Sequence, residues 1–197
     1  GQVLIGLGML FMGLEHMSQS MEPLRYMPEF TGLLAKFENP LLGIAVGAIF
    51  TAVIQSSSAS VGILQTLALS GVVTLPSAIY VLFGQNIGTC ITAILASIGS
   101  ERNAKRATLI HLLFNVIGTV VFVAISLTTP FVHWMEGLTP GNVPVQIANV
   151  HTIFNVVTTF LLLPFGAQLV RLTYVFLPIL PEAPTPSVVH HLDFNIF

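Results

Sequence analysis

The sequence predicts an all-α polytopic membrane protein whose apolar segments are interrupted by two polar motifs. Charged residues make up 7% of its 197 residues and hydrophobic residues 54%, whereas soluble domains carry about 25% charged residues. Residues 41–100 contain no Asp, Glu, Lys, Arg or His, and uncharged stretches of this length are typical of membrane spans. The composition therefore argues against a soluble domain, and a net charge of −2 gives no reason to expect nucleic acid as a partner.

The first predicted element is a helix over residues 1–21. It is apolar until Glu15 and His16, and it lacks the basic start and the small-residue cleavage site of a signal peptide. Residues 22–40 mix charged and apolar side chains and end at Pro40. This mixture predicts a connector that lies at the membrane interface.

Two short apolar segments then flank the polar run QSSS at residues 55–58. As a helix, residues 41–54 would extend roughly 21 Å at about 1.5 Å per residue, which is less than the hydrocarbon core of about 30 Å. Residues 61–73 are equally short. Because neither segment crosses alone, residues 41–73 are predicted to form either a re-entrant hairpin or one broken crossing.

A second polar motif, GQNIGT at residues 84–89, interrupts the apolar residues 76–98, which are therefore predicted to form a broken helix. Residues 108–127 would extend roughly 30 Å as a helix, enough for a complete span. Residues 146–170 are predicted to form the last span. Together these segments predict one transmembrane transporter repeat over residues 1–180.

Basic residues predict the orientation of this multi-pass protein in the cell (inner) membrane, since they favour the cytoplasmic side. Half of them lie in residues 100–107 and Arg171 closes the last span, whereas the loop over residues 128–145 has no Lys or Arg. Residues 100–107 and the C-terminus are therefore predicted to be cytoplasmic, and residues 128–145 external. The proline-rich residues 181–197 are predicted to be a linker towards a cytoplasmic domain.

The QSSS run predicts a binding site at a helix break. Non-helical chain is tolerated at membrane depth only where it is buried or lines a cavity. Helix N-termini carry about half a positive charge and bind anions, while hydroxyl and carbonyl oxygens coordinate small cations in transporters. The alternative is that the serines bond to neighbouring helices or to their own backbone. The candidate residues of this run are Gln55, Ser56, Ser57, Ser58 and Ser60.

The second motif offers further neutral oxygen ligands, namely Gln85, Asn86, Thr89 and Thr92. Its glycines at 84 and 88 permit either unwinding or the close approach of another helix, and the alternative to a binding role is a Gly-x-x-x-Gly packing face. Neither motif contains Lys or Arg. An anionic substrate would therefore need co-bound cations in addition to about one positive charge from two helix termini.

Two copies of H-x-x-F-N lie in the two complete spans, as His111 with Asn115 and His151 with Asn155. The i, i+4 spacing puts each pair on one helical face, so the two helices are predicted to face a common interior. Ionisable groups within a membrane suggest function, although hydrogen bonds between helices would explain them as well. A metal site is disfavoured because no carboxylate or thiol accompanies them, and the absence of G-x-S-x-G argues against a serine hydrolase.

The combination QSSSA and G-x-N-I-G-T-x-x-T-A resembles the sodium–phosphate cotransporter family, type II and its bacterial relatives. The segments NPLLGIAVGAIFTAVIQSSSASVGI, GQNIGTCITAILASIGS, AKRATLIHLLFNVIG and HTIFN fit the bacterial pattern over residues 3–175, and the chain resembles the second of two inverted repeats. The resemblance implies sodium-coupled symport of inorganic phosphate across the lipid bilayer. It implies that residues 55–58 line the phosphate site and that Asn86 and Thr89 bind sodium or phosphate.

The resemblance also implies partners and no cofactor besides the coupling sodium ion. A second QSSS-bearing repeat, from the same or another chain, would complete the site, and a PhoU-like cytoplasmic domain would follow the linker. Gln85 and Cys90 depart from the family pattern, as do Val61 and Gly62, where vertebrate members have hydroxyl residues. Two alternatives remain: transport of another small oxyanion or carboxylate, and a phosphate-sensing membrane subunit without net transport. An enzyme is disfavoured for want of a nucleophile–base pair.

Overall fold

A computed structural model describes residues 1–21 and 36–178, together with Pro23, Tyr26, Met27 and Glu29. The described residues are helical and include no strand, which confirms the predicted all-α class. Two short 3-10 turns, Lys36–Glu38 and Leu163–Phe165, accompany nine α-helices within these residues. The helices are α1 (Gln2–Met21), α2 (Pro40–Ile54), α3 (Ser57–Leu69), α4 (Leu75–Gly88), α5 (Cys90–Ser97), α6 (Arg102–Thr128), α7 (Phe131–Leu138), α8 (Val143–Leu162) and α9 (Gly166–Phe176).

Two predicted segments fall largely or wholly outside the described residues. Most of the interfacial connector over residues 22–40 lies there, apart from the 3-10 turn at its end and the single residues named above. The linker over residues 181–197 lies there completely. Both remain predictions.

Helices α2 and α3 form a hairpin joined by only two residues. The Asn39 side chain caps α2 by accepting hydrogen bonds from the backbone N–H groups of residues 41 and 42, at 3.1 and 3.2 Å. At the other end, the hydroxyls of Thr51 and Ser60 lie 2.7 Å apart. In one continuous helix these residues would be separated by about 13 Å, so the chain reverses its direction between them.

The reversal is made at Gln55, which has a φ of 59° and a ψ of 21°. Among the described residues it is the only non-glycine residue with a positive φ. Residues other than glycine adopt this left-handed region rarely, and such positions are concentrated at functional sites. The hairpin tip is therefore a strained turn.

Helix α4 runs parallel to α2 at close range, because glycines on each helix meet the backbone of the other. A Cβ added at Gly47 would lie 2.0 Å from the Val81 carbonyl oxygen, and one at Gly84 would lie 2.1 Å from the Ile44 carbonyl oxygen. Gly88 packs in the same way on Ala48. Small residues spaced four apart permit this approach. The glycines of the second polar motif thus serve close packing.

The predicted break in the second motif is shorter than expected. Helix α4 continues through Gly88, and only Thr89 separates it from α5. Of the two roles that the sequence allowed for the glycines at 84 and 88, unwinding or close approach, the structure shows the close approach. The physical reason is that the packing of Gly84 and Gly88 on α2 requires a regular helical face.

Within the part of the chain that the structure describes, three helical segments are long and apolar enough to cross a membrane: Leu75–Ser97, Arg102–Thr128 and Val143–Phe176. They correspond to the predicted broken helix, which ends one residue earlier than expected, and to the two predicted spans, as expected of a membrane protein. The last segment is interrupted at Leu163–Phe165, where Pro164 lacks the N–H that a continuous helix needs.

The predicted loop over residues 128–145 contains a helix, α7, that the sequence analysis missed. Phe131 and Met135, one helical turn apart, are both buried by packing against the core. Trp134 is 53% exposed, as expected of a side chain at a membrane interface.

An aromatic cluster joins the three long segments at the level of the hairpin. The rings of Phe83, Phe122 and Phe154 are nearly completely buried. Their centroids lie 5.8 Å (Phe83–Phe122), 5.6 Å (Phe83–Phe154) and 5.1 Å (Phe122–Phe154) apart, distances at which aromatic pairs attract. The cluster fixes α4, α6 and α8 around one interior.

At the other end of α6, Arg106 holds the end of α9. Its guanidinium donates to the Leu177 carbonyl oxygen from Nη2 at 2.8 Å and from Nε at 3.1 Å. It also lies 4.1 Å from the centre of the Tyr174 ring, a cation–π contact. Arg102 donates to the Pro178 carbonyl oxygen. The start of α6 and the end of α9 therefore lie at the same end of the helix bundle.

We expect Arg106→Gln to lower the free energy of unfolding by about 2 kcal/mol, because the half-buried Leu177 carbonyl oxygen would lose a charged donor. Thermal unfolding of the purified protein in detergent would measure this loss. Arg171→Gln is the matched control, since Arg171 is exposed. Equal melting temperatures for the two variants would contradict the assigned role of Arg106.

Candidate functional site

A polar cavity of about 320 Å³ lies where the hairpin tip meets α4, α6 and α8. Seven polar residues and one aromatic residue line its wall. The lining residues are Ser57, Asn86, Thr89, His111, Phe114, Asn115, His151 and Asn155.

The hairpin contributes Ser57 and the N-terminus of α3. Ser56 caps this helix, and its hydroxyl accepts a hydrogen bond from the backbone N–H of Ala59 at 3.3 Å. The first N–H groups of a helix have no partner within the helix, and they concentrate positive potential there. The cavity therefore receives one hydroxyl together with the positive end of a helix.

The other residues of the QSSS run lie outside this cavity. Gln55, Ser56 and Ser58 are exposed. Ser58 lines a separate groove between α1 and α3, together with Leu10 of α1. Of the four residues predicted to line the phosphate site, the structure brings Ser57 alone to the cavity.

The second motif contributes Asn86 and Thr89. The Asn86 side-chain nitrogen donates to the Leu82 carbonyl oxygen at 3.1 Å, and the Thr89 hydroxyl donates to the Gln85 carbonyl oxygen at 2.9 Å. These bonds to their own helix orient both side chains and leave oxygen lone pairs and one amide N–H of Asn86 for a ligand. Thr92 is exposed and lies outside the cavity.

The two H-x-x-F-N motifs contribute matching pairs from α6 and α8. Asn115 donates to the His111 carbonyl oxygen at 3.0 Å, and Asn155 donates to the His151 carbonyl oxygen at 2.8 Å. Both pairs lie on the wall of the same cavity. Phe114, which the sequence analysis did not select, lies within the first motif and also lines the cavity. The motif itself was the signal that could have identified it.

A second cluster of oxygen atoms is buried behind the tip. Thr51 and Ser60 are fully buried and share a hydrogen bond. Gln85 is 2% exposed and donates to the Ser60 carbonyl oxygen at 3.1 Å, while its own Oε1 has no partner among the described residues. Neutral oxygens and an unsatisfied amide carbonyl suit a small hard cation.

Thr51 was missed by the sequence analysis, although a signal was present. It is the only residue with a polar side chain between Pro40 and Gln55. Since a lone threonine in an apolar helix usually bonds to its own backbone, its contact with Ser60 could not be anticipated without the hairpin.

Cys90 does not reach the cavity. It is fully buried, and its sulfur accepts a hydrogen bond from the Asn115 side chain at 3.4 Å. Cys90 therefore contacts the site only through Asn115, which lines the cavity.

The wall of the cavity contains no Asp, Glu, Lys or Arg among the described residues. His111 and His151 are its only ionisable side chains. A charged ligand would therefore meet helix ends, amides, hydroxyls and two imidazoles.

Comparison with known proteins places this arrangement in a family. The sequence model of the family described as Na+/Pi-cotransporter matches residues 21–139, a range that contains the hairpin and the second motif. The chain belongs to the Na+/Pi-cotransporter family. The resemblance inferred from QSSSA and G-x-N-I-G-T is thereby confirmed.

Relatives of this Na+/Pi-cotransporter family member occur in bacteria and mammals. The protein YqeW of Bacillus subtilis, whose name assigns no function, is 33% identical over 180 residues, which cover 90% of this chain and 57% of YqeW. YjbB of Escherichia coli, named as a candidate inorganic phosphate export protein, is 29% identical over 200 residues, which cover 99% of this chain and 36% of YjbB. The sodium-dependent phosphate transport protein 2A of Rattus norvegicus is 32% identical over 110 residues, which cover 53% of this chain and 17% of that protein.

The chain thus spans little more than half the length of YqeW and about a third of YjbB. No solved structure matches it.

Proposed function

We propose that this chain supplies one repeat of a sodium-coupled transporter of inorganic phosphate and that the polar cavity holds the phosphate. The observation that carries the proposal is the meeting of the α3 N-terminus and Ser57 with Asn86 and Thr89 on one cavity wall. The absence of a carboxylate on the described wall fits an anionic ligand. Backbone N–H groups, hydroxyls and amides are the donors that oxyanions accept at helix N-termini.

The cavity offers enough hydrogen-bond donors for a tetrahedral oxyanion. The amides of Asn86 and Asn155 each keep one N–H after donating to their own helices, whereas Asn115 donates to both the His111 carbonyl oxygen and the Cys90 sulfur. Ser57 and the first N–H groups of α3 add further donors. Phosphate bound among them would exchange its hydration shell for fixed partners.

The buried cluster of Thr51, Ser60 and Gln85 supports a sodium ion close to the same tip. A cation bound to Gln85 Oε1 would satisfy the amide oxygen that lacks a partner. All of these ligands are neutral, so the positive charge of the ion would remain available to attract the anion. We accordingly assign Ser60 and Gln85 to sodium, and Asn86 and Thr89 to phosphate.

A second QSSS-bearing repeat is the proposed partner at the hairpin tip. Gln55, Ser56 and Ser58 are polar and exposed beside the cavity. They lie at a helix break, and non-helical chain within a membrane has to be buried or to line a cavity. A partner repeat, from the same or another chain, would cover these side chains and bring its own tip to the substrate. A PhoU-like domain beyond the linker remains a prediction.

We further propose that the end of the bundle that carries Arg102 and Arg106 is cytoplasmic. Lys105 lies at the same end, and basic residues favour the cytoplasmic side. Helix α7 packs near the opposite end, through the contact of Phe131 with Phe122, whose ring centroids lie 5.8 Å apart. The hairpin would then enter from the external side and reach the middle of the membrane.

We expect the complete protein in proteoliposomes to take up radiolabelled phosphate when an inward sodium gradient is imposed. Each sodium ion that moves inward through about 100 mV contributes about 2.3 kcal/mol, so two or three ions can drive a divalent anion uphill. Replacement of sodium by potassium is the control and should abolish the uptake. Uptake that is indifferent to sodium would overturn the coupling.

The name of the Escherichia coli relative favours a second candidate, phosphate export. The same site would then release phosphate outward. Efflux from proteoliposomes loaded with phosphate, measured with the sodium gradient in either direction, separates export from import. Competition by arsenate, sulfate and succinate tests the anion class, and binding without flux would indicate a sensor.

A further inference from the structure

We propose that His111 and His151 are direct phosphate ligands whose imidazoles, when protonated, supply the positive charge that the two polar motifs lack. The inference rests on the proposed function of the cavity. It assigns recognition of the negative charge of the anion to these two histidines. It also makes the affinity of the site for phosphate depend on pH.

The geometry that carries the inference is the position of both histidines on one wall. His111 belongs to α6 and His151 to α8, and both line the cavity with Ser57 of the hairpin tip. Each histidine is followed four residues later by an asparagine that bonds back to its carbonyl oxygen, at 3.0 Å for Asn115 and 2.8 Å for Asn155. The two helices therefore present the same imidazole–amide pair to the cavity.

Charge is the property that the rest of the cavity does not provide. An anion bound among the hairpin tip, α4, α6 and α8 would meet no Asp, Glu, Lys or Arg on the described wall. Arg106 is the basic residue of α6 nearest in sequence to His111. Its guanidinium already donates to the Leu177 carbonyl oxygen and lies over the Tyr174 ring. The imidazoles are thus the groups that can change the charge of the wall.

Other charged groups lie on neighbouring elements but do not line the cavity. Helix α1, which packs on α3, carries Glu15 and His16. Helix α9, which packs on α6, carries Arg171, and helix α7 carries His133 and Glu136. None of them belongs to the wall that holds His111 and His151.

The chemistry follows from the two protonation states of imidazole. A neutral ring donates one hydrogen bond, whereas an imidazolium donates two and carries a positive charge. Histidine changes between these states near pH 6.5 in ordinary surroundings, and a bound anion favours the charged form. Phosphate affinity should therefore rise as pH falls through the histidine range.

The test is equilibrium binding of radiolabelled phosphate to the complete protein at about pH 5.5 and about pH 8.5. His111→Gln and His151→Gln remove the charge, and His133→Gln is the matched control because that histidine is exposed and lies on α7. The ratio of wild-type to variant affinity cancels the titration of phosphate itself. At the acidic pH we expect His111→Gln and His151→Gln each to bind phosphate about tenfold more weakly than the wild type. At the alkaline pH the affinities of wild type and variant should differ less. His133→Gln should bind phosphate as the wild type does at both pH values.

A ratio that stays constant between the two pH values would overturn the inference while leaving phosphate binding by the wild type intact. Absence of phosphate binding by the wild type would instead overturn the proposed function. If a glutamine variant does not fold, as judged by gel filtration, the asparagine variant at the same position provides the measurement, with the same two outcomes.

Discussion

Gly84→Ala is expected to separate α2 from α4 and to lower the free energy of unfolding by about 3 kcal/mol, at the upper end of what overpacking costs. The added Cβ would lie 2.1 Å from the Ile44 carbonyl oxygen. That atom belongs to the backbone of a helix, so it cannot move away as a flexible side chain would. Because Asn86 lies on the displaced helix and Thr89 directly follows it, transport should be lost together with stability.

Thermal unfolding in detergent and phosphate uptake in proteoliposomes measure the two consequences. Gly6→Ala is the matched control, since Gly6 is also helical and a Cβ added there would meet nothing within 4 Å. That control should melt at or slightly above the wild-type temperature, as alanine favours helix over glycine. Wild-type stability of Gly84→Ala would show that the close contact of α2 and α4 is wrong.

Asn86→Ala is expected to weaken phosphate binding about tenfold to a hundredfold. A hydrogen bond to a charged group contributes about 1.5–3 kcal/mol, and Asn86 is a buried member of the cavity wall. Asn86→Asp should reduce binding still further, because it adds a negative charge beside the anion. Equilibrium binding of labelled phosphate measures both variants.

Asn149→Ala is the matched control for this pair. Asn149 lies in α8, near the two cavity residues of that helix, but it does not line the cavity. Its substitution should leave phosphate affinity within about twofold of the wild type. If Asn86→Asp binds as well as Asn86→Ala, the ligand of the cavity is not an anion, and the proposed substrate class fails.

The elements that the sequence predicted well are those defined by composition and length. The uncharged residues 41–100 identified the membrane protein, and the length of residues 108–127 identified a complete span that α6 contains. The position of the hairpin tip also followed from local pattern, since QSSS separates two segments that are each too short to cross. Such features depend on residues close together along the chain.

The elements that it predicted poorly depend on contacts between distant residues. The sequence left open whether residues 84–88 unwind or pack closely, and the structure shows that Gly84 and Gly88 pack on α2 in a regular helix. Helix α7 was missed because its burial depends on the packing of Phe131 against Phe122. Pro164 was visible in the sequence, yet the turn that it makes between α8 and α9 was not predicted.

For the candidate site, the sequence by itself determined which kinds of side chain are available. These are neutral oxygen ligands at two polar motifs and two histidine–asparagine pairs, with no Lys or Arg in either motif. Only the tertiary structure decided which of these residues meet. It brought Ser57 to Asn86, Thr89 and both pairs, left Gln55, Ser56 and Ser58 exposed, and buried Ser60 and Gln85 with Thr51. The physical reason is that periodicity defines the face of a single helix, whereas the close packing of glycines and the reversal at the hairpin tip determine which faces oppose one another.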